Sequence, residues 1–339
     1  MRRLIVSGLL AASALTAPVF AQDITADTDA AVEYLRVLSA DDMDGRRTGS
    51  QGAADARTYI TEQFFLAGLL AYGDSWEQEF SYTPRRSTEE LHGVNLVGYH
   101  PAASGDETGP VIVVTAHYDH LGNCGGQICN GADDNASGVA ALIAVAEALR
   151  DNPPAHTIIF AALDAEENGL NGARALVADL PVDEDRVVLN INFDMLAINA
   201  DNELPAAGAF HFPFLHDHVE AIEVAEPTHV IQGYDSPEWG PNGDWTYASD
   251  HAAFHDAGIP WIYYGVDFHE YYHQPTDEFE VVQQDFFASN VQTVLNAVVY
   301  FDENLDTVAQ ELADFRAAQP EVEEARIGED GRFIKPGME

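Results

Sequence analysis

The middle of the chain carries four short apolar runs rich in β-branched and aromatic residues: Val111 to Ala116, Thr157 to Leu163, Val187 to Phe193 and Trp261 to Tyr264. Two of them are nearly continuous in hydrophobicity, as strands buried on both faces must be. Helical patterns lie between the runs, at Ser137 to Arg150 between the first and second and at Gly172 to Leu180 between the second and third. This alternation predicts an α/β fold with a mostly parallel sheet between helices. Upstream, a helix is expected at Asp29 to Leu38, an Arg/Gly-rich turn at Gly45 to Gly49, an amphipathic helix near Ala53 to Ala67, and strands at Glu77 to Tyr82 and His92 to Tyr99. A last helix covers about Gln284 to Phe301 and continues toward Phe315. The segment Asn199 to Asp244 is rich in His, Pro, Gly and aromatics and fits the alternation badly. It reads as a lid or pocket wall.

The two ends read differently from the middle. Arg2 and Arg3, an apolar stretch from Leu4 to Val19, and Val19-Phe20-Ala21 before Gln22 have the layout of a secretory signal peptide over residues 1–21. The apolar stretch is shorter than the roughly 20 residues that span a bilayer. Export to the periplasm or beyond is therefore expected, without stable membrane association. A single domain is expected over 22–316, and a polar, Pro/Gly-punctuated tail over 317–339.

Composition narrows the partners. Fifteen Lys and Arg face 57 Asp and Glu, a formal net charge of −42. Such a chain repels phosphate backbones, which argues against nucleic acid as a partner. Most of these carboxylates belong to a solvated surface. The two cysteines, Cys124 and Cys129, lie in a Gly-rich loop. In an exported protein they are expected to pair as a local disulfide, a pair of metal thiolates being the alternative.

The chemistry gathers where the strands end. The first run leads into His117-Tyr118-Asp119-His120, the second into Asp164-Ala165-Glu166-Glu167, and the third into Asp194, while His273 follows the fourth after a loop. Ligands in open α/β sheets bind outside the carboxyl ends of the strands. A single histidine or acid after a strand is ordinarily structural; four such segments converging on one sheet edge are not. The loop Gly131-Ala132-Asp133-Asp134-Asn135-Ala136-Ser137-Gly138 adds adjacent carboxylates before a helix. Helix capping accounts for one or two of its polar residues, but neighbouring carboxylates repel unless a cation lies between them. Histidine and carboxylate donors without cysteine suit catalytic zinc. His117, His273, Asp133, Glu167 and Asp194 are too many for one open tetrahedral ion and suit two ions sharing a carboxylate. Glu166 is then free to act as a base.

These motifs, with Asn192-Phe193-Asp194-Met195, resemble the co-catalytic di-zinc aminopeptidases. That family also includes glutamate carboxypeptidase and glutaminyl cyclases. The resemblance runs from about Asp41 to Tyr300. It implies a three-layer α/β/α sandwich with a mixed, mainly parallel sheet. It further implies Asp133 as the bridging ligand, His117 and Asp194 completing one zinc site, and Glu167 and His273 the other. Other divalent metals are possible in both. In the same way Glu166 is the expected general base for a metal-bridged hydroxide, and Asp119 the carboxylate that orients a ligand histidine. Asp250, in Ser249-Asp250-His251, matches a recurring element of the family, and Tyr247 is the candidate oxyanion donor. Many relatives insert a protease-associated domain ahead of the metal region, and the stretch from Gly98 to Val111 has no room for one.

The function expected is zinc-dependent removal of N-terminal residues from peptides. The alternatives are a glutaminyl cyclase-like single-zinc transferase, a carboxypeptidase or dipeptidase, and a binding module without activity. The complete ligand set weighs against the first and the last. The absence of Lys and Arg from Asn199 to Asp244 weighs against recognition of acidic dipeptides.

Overall fold

A computed structural model describes residues 24–319, apart from 85–87 and 241, together with the backbone of Arg326–Ile327 and Phe333–Ile334. The expected leader lies outside these residues, as does most of the expected tail.

The chain starts with α1 (Thr28–Leu38), capped by Asp27, whose carboxylate accepts the N–H of Ala30 at 3.0 Å. A single-turn segment, Asp41–Arg46, leads to α2 (Gln51–Leu66), which Ser50 caps in the same way. There follow β1 (Leu70–Ala71), β2 (Glu77–Tyr82), β3 (Leu91–His100) and β4 (Val111–His117). The hairpin of β5 (Gly122–Cys124) and β6 (Gln127–Cys129) is closed by the Cys124–Cys129 disulfide, so the sulfurs serve no metal. Then come α3 (Gly138–Arg150), β7 (Thr157–Leu163), α4 (Asn171–Ala178) and β8 (Val187–Phe193). The chain continues through β9 (Glu203–Ala207), α5 (Leu215–Glu220), β10 (His229–Gln232), α6 (His251–Asp256), β11 (Trp261–Tyr264) and α7 (Gln284–Ala318). Helix α7 extends past Phe315 and takes up residues 317 and 318, where the tail was expected to begin.

The main sheet runs β1-β3-β7-β4-β8-β11-β9-β10, with β2 also on β3. Strands β7, β4, β8 and β11 are parallel neighbours; β1, β2 and β3 are antiparallel additions at one edge, and β9 meets β11 antiparallel. Period-2 alternation sorts the strand side chains between two cores. Ile112, Val114 and Ala116 face α1, α2, α3 and α7, whereas Val111 and Val113 face α4 and α6. Both faces are covered, which is why the central strands read as mostly apolar runs. The fold is the expected mixed α/β sheet between helices.

The segment 199–244 departs from expectation. It is not an irregular lid throughout: β9 and β10 pair in parallel and extend the sheet, with α5 between them. Both strands are short, and Pro205 sits inside β9 in register with Ile231. Proline cannot donate to a ladder and so masks a strand signal.

Candidate active site

Parallel strands bring their carboxyl ends to one edge, and there β4, β7 and β8 deliver His117, Glu166 with Glu167, and Asp194. The loop before α3 adds Asp134, and the loop after β11 adds His273. The central geometry belongs to Asp134. Its Oδ1 lies 3.5 Å from His117 Nε2, which is itself 3.3 Å from Asp194 Oδ1. Its Oδ2 lies 3.1 Å from His273 Nε2, which is 3.3 Å from Glu167 Oε2. One carboxylate thus faces two imidazole–carboxylate groups, one with each oxygen.

Asp133, the expected bridging residue, stands elsewhere. Its Oδ1 accepts the N–H of Ala197 at 2.7 Å and the Ser137 hydroxyl at 3.1 Å, and its Oδ2 accepts from His269 Nε2 at 2.9 Å. Both its oxygens are thus engaged within the fold, and it is the neighbouring Asp134 that faces the imidazoles of His117 and His273. Sequence alone offered two adjacent acids with no means of telling their directions apart.

His120 is a further residue that sequence reasoning passed over, although it closes His117-Tyr118-Asp119-His120. Its Nδ1 donates to Glu167 Oε1 at 2.8 Å and lies 3.8 Å from Asp134 Oδ2. Its buried Nε2 meets no partner among the described residues. Gly131 (φ +56°) makes room for this ring: a Cβ there would lie 2.5 Å from it and 2.0 Å from the Asp134 carbonyl.

Asp119 also acts differently from expectation. The Nδ1 of His117 meets the main-chain carbonyl of Asp119 at 3.1 Å, while the Asp119 carboxylate is 3.8 Å away. That carboxylate instead accepts the backbone N–H of Glu166 at 3.0 Å and so anchors the candidate base. Asp250 is fully buried, and neither of its oxygens meets a donor among the described residues. Burial pushes it up to about 7, with His117 opposing and Asp194 adding. Tyr247 lies on the outer surface, 60% exposed, its ring edge-on to His255. Trp245, two residues earlier, turns inward instead, so the expected oxyanion role of Tyr247 has no support in the geometry.

The pocket at this edge has a cavity volume of about 40 Å³. Its polar side is His117, Asp134, Glu166, Asp194 and His273; its apolar side is Met195, Trp245, Ala248, Val266, Phe268, Tyr263 and Tyr272. Tyr234 stacks on Trp245 at 4.0 Å, and Trp239 stacks on Tyr234 at 4.4 Å, which stiffens the apolar wall. Among the described residues, no Lys or Arg lines it.

The electrostatics follow from crowding acids in a buried space. Burial drives the Glu166 carboxyl well above its ordinary range; His117 opposes, and Asp250, Asp194 and Glu167 add to the rise. Burial pulls His117 and His273 downward, but the surrounding carboxylates outweigh it, and His273 is raised to about 10. Glu167 is held well below the usual carboxylate range despite burial, through its bonds to His120 and His273.

The donor set fits a pair of cations. His117, Asp134 and Asp194 converge to one point and His120, Asp134 and Glu167 to another, with His273 at the second. The donors are imidazole and carboxylate, the open-site chemistry of catalytic zinc.

Residues 95–298 match peptidase family M28. The chain belongs to that family. Among curated proteins similar to it, the alkaline phosphatase isozyme conversion protein of Escherichia coli K12 is 30% identical over 165 residues, covering 45% of this chain and 47% of that protein. Aminopeptidase YwaD of Bacillus subtilis is 30% identical over 183 residues, covering 52% and 37%. The chain thus spans about half or less of the length of these curated relatives. In fold it is similar to the zinc aminopeptidase BSAP of Bacillus subtilis, with a TM-score of 0.66 and 17% identity over 82% of this chain and 95% of that one. It is also similar to the glutaminyl cyclase of Porphyromonas gingivalis, with a TM-score of 0.62 and 17% identity over 82% and 99%.

Proposed function

We propose that this M28 chain is an exported aminopeptidase that works with two zinc ions. One observation carries the reading: Asp134 turns one oxygen toward His117 and Asp194 and the other toward His273 and Glu167. A transferase with a single zinc has no need of that second, oppositely placed set. The two groups of donors would hold one ion each. Bound zinc supplies polarisation of the scissile carbonyl and lowers the pKa of water at the site.

The chain's own residues supply the rest. Glu166 lies at the pocket wall, unpaired with either imidazole, its backbone pinned by Asp119. Its raised proton affinity suits a group that takes a proton from attacking water and returns it to the departing amine. The wall of Met195, Trp245, Val266 and Phe268 accepts an apolar N-terminal side chain, and the acids opposite attract the free α-amine. The lack of a cation in the lining argues against recognition of a C-terminal carboxylate. Export is supported by the disulfide, and no described helix is long and apolar enough to cross a membrane.

The test uses zinc-loaded protein with leucyl and phenylalanyl anilides, their N-acetylated forms, and a peptide beginning with glutamine. Hydrolysis of the free-amine substrates alone is expected. Loss of ammonia from the glutamine peptide without cleavage would overturn the reading in favour of cyclisation.

A further inference from the structure

The turn Asp44-Gly45-Arg46-Arg47 contributes no donor to the pocket, yet Arg46 is wholly buried close behind it. Among the described residues its guanidinium meets no carboxylate. It donates to four main-chain carbonyls: Tyr118 at 2.8 Å, Leu38 at 2.6 Å, Asn130 at 2.5 Å and Gly131 at 2.9 Å. Burying an unpaired cation is expensive, so the arrangement calls for a reason. The carbonyls it holds flank the donors: Tyr118 follows His117, and Asn130 and Gly131 precede the loop that carries Asp134.

The opposite side of that loop is held by an anion. Asp277, also fully buried, accepts the N–H of Asp133 at 2.9 Å and of Asp134 at 3.1 Å through its two carboxylate oxygens. Its main-chain carbonyl accepts the N–H of Ala132 at 3.1 Å. A buried guanidinium therefore holds the carbonyls of residues 130 and 131, and Asp277 holds the amides of residues 132 to 134. Asp277 comes four residues after His273, so the same grip links the loop to the segment that brings the second imidazole. Arg46 also places a permanent positive charge beside the acid cluster, and burial draws its pKa to about 10 against the pull of Asp277, Asp134 and Asp119.

We infer that Arg46 and Asp277 are positioning residues that clamp the 130–134 backbone from both sides and thereby set the cation affinity of both halves of the site through Asp134. This rests on the two-cation reading above. Backbone partners of this kind act as outer supports of a metal site, whose loss costs about 10–100-fold in affinity.

The experiment measures zinc affinity by competition with a chromophoric chelator, alongside thermal unfolding of zinc-stripped protein, for the wild-type chain, Arg46→Met, Arg46→Lys, Asp277→Asn and Val308→Ala. Val308 is a buried residue of α7, which supplies nothing to the site, and its truncation controls for general destabilisation. Arg46→Met and Asp277→Asn are expected to weaken zinc about 10–100-fold at both sites together. Arg46→Lys, which keeps the charge but not the fork, should fall between them and the wild type. Val308→Ala should unfold earlier yet bind zinc as the wild type does. Should Arg46→Met fail to fold, Asp277→Asn carries the test. Wild-type affinity in the clamp variants, or equal weakening in Val308→Ala, overturns the clamp alone. A wild-type chain that binds no zinc overturns the two-cation reading and the clamp with it.

Discussion

The contrast between Asp133 and Asp134 gives the sharpest prediction, because the two acids are neighbours with opposite duties. Asp133→Ala removes the acceptor of the Ala197 N–H, the Ser137 hydroxyl and the His269 imidazole in a fully buried position. Ser137 keeps a second acceptor, the Asp133 carbonyl at 2.7 Å, so its loss is minor. An orphaned buried donor costs about 1–3 kcal/mol, and a bond to a charged group about 1.5–3 kcal/mol. Ala197 and His269 together therefore put the loss at about 3 kcal/mol. In a chain of this size, with about 2.1 cal/mol/K of unfolding entropy per residue, that lowers the melting midpoint by about 4–5 °C. Asp134→Ala, by contrast, removes a carboxylate whose partners are imidazoles shared with Asp194 and Glu167. It relieves repulsion in the acid cluster, so the zinc-stripped protein should melt within about 1 kcal/mol of the wild type. The assay is calorimetry of the stripped proteins, which removes ligand stabilisation from the comparison, followed by zinc counting after reloading and dialysis. The expected pattern is crossed: Asp133→Ala melts early and still takes up zinc, whereas Asp134→Ala melts normally and loses zinc from both positions. An Asp134→Ala protein that keeps two zinc ions would refute the reasoning.

Two further outcomes are expected. Glu166→Gln preserves shape and zinc content while lowering kcat about 10²–10⁴-fold, the usual share of a proton-transfer group; steady-state kinetics with metal analysis checks this, and unchanged turnover removes Glu166 from the base role. The buried His251, whose Nε2 meets the Trp245 carbonyl at 2.8 Å, has its pKa pulled down to about 3 by burial. Its folded-state value lies below the unfolded one of about 6.5, so its contribution is complete above pH 6.5 and is lost as the pH falls toward 3. The slope approaches about 1.4 kcal/mol per pH unit, or about 2 kcal/mol between pH 6.5 and 5. Urea unfolding of the wild type and His251→Gln at pH 7 and pH 5 should show that much less acid sensitivity in the variant, and parallel pH dependence would exclude His251 as the titrating group.

What could be read from the amino-acid sequence was whatever repeats along the chain. The runs at 157–163, 187–193 and 261–264 were legible to the residue because strands covered on both faces are mostly apolar along their whole length, Asn190 and Asn192 being buried exceptions. Parallel pairing then had to send the residues after them, His117, Glu166, Glu167 and Asp194, to one edge. The short strands β9 and β10 were hidden, since four or five residues with a proline carry too little periodicity to announce a strand. Side-chain direction in loops was beyond sequence altogether. Asp133 turns away from the pocket toward the donors of Ala197 and His269, which lie 64 and 136 residues from it along the chain. The inward turn of Trp245 and outward turn of Tyr247 likewise depend on the packing of Tyr234 and His255. Local pattern determines elements because burial acts on every second or every third to fourth residue. The aim of one carboxylate depends on which distant donors surround it, and only the tertiary structure brings those together.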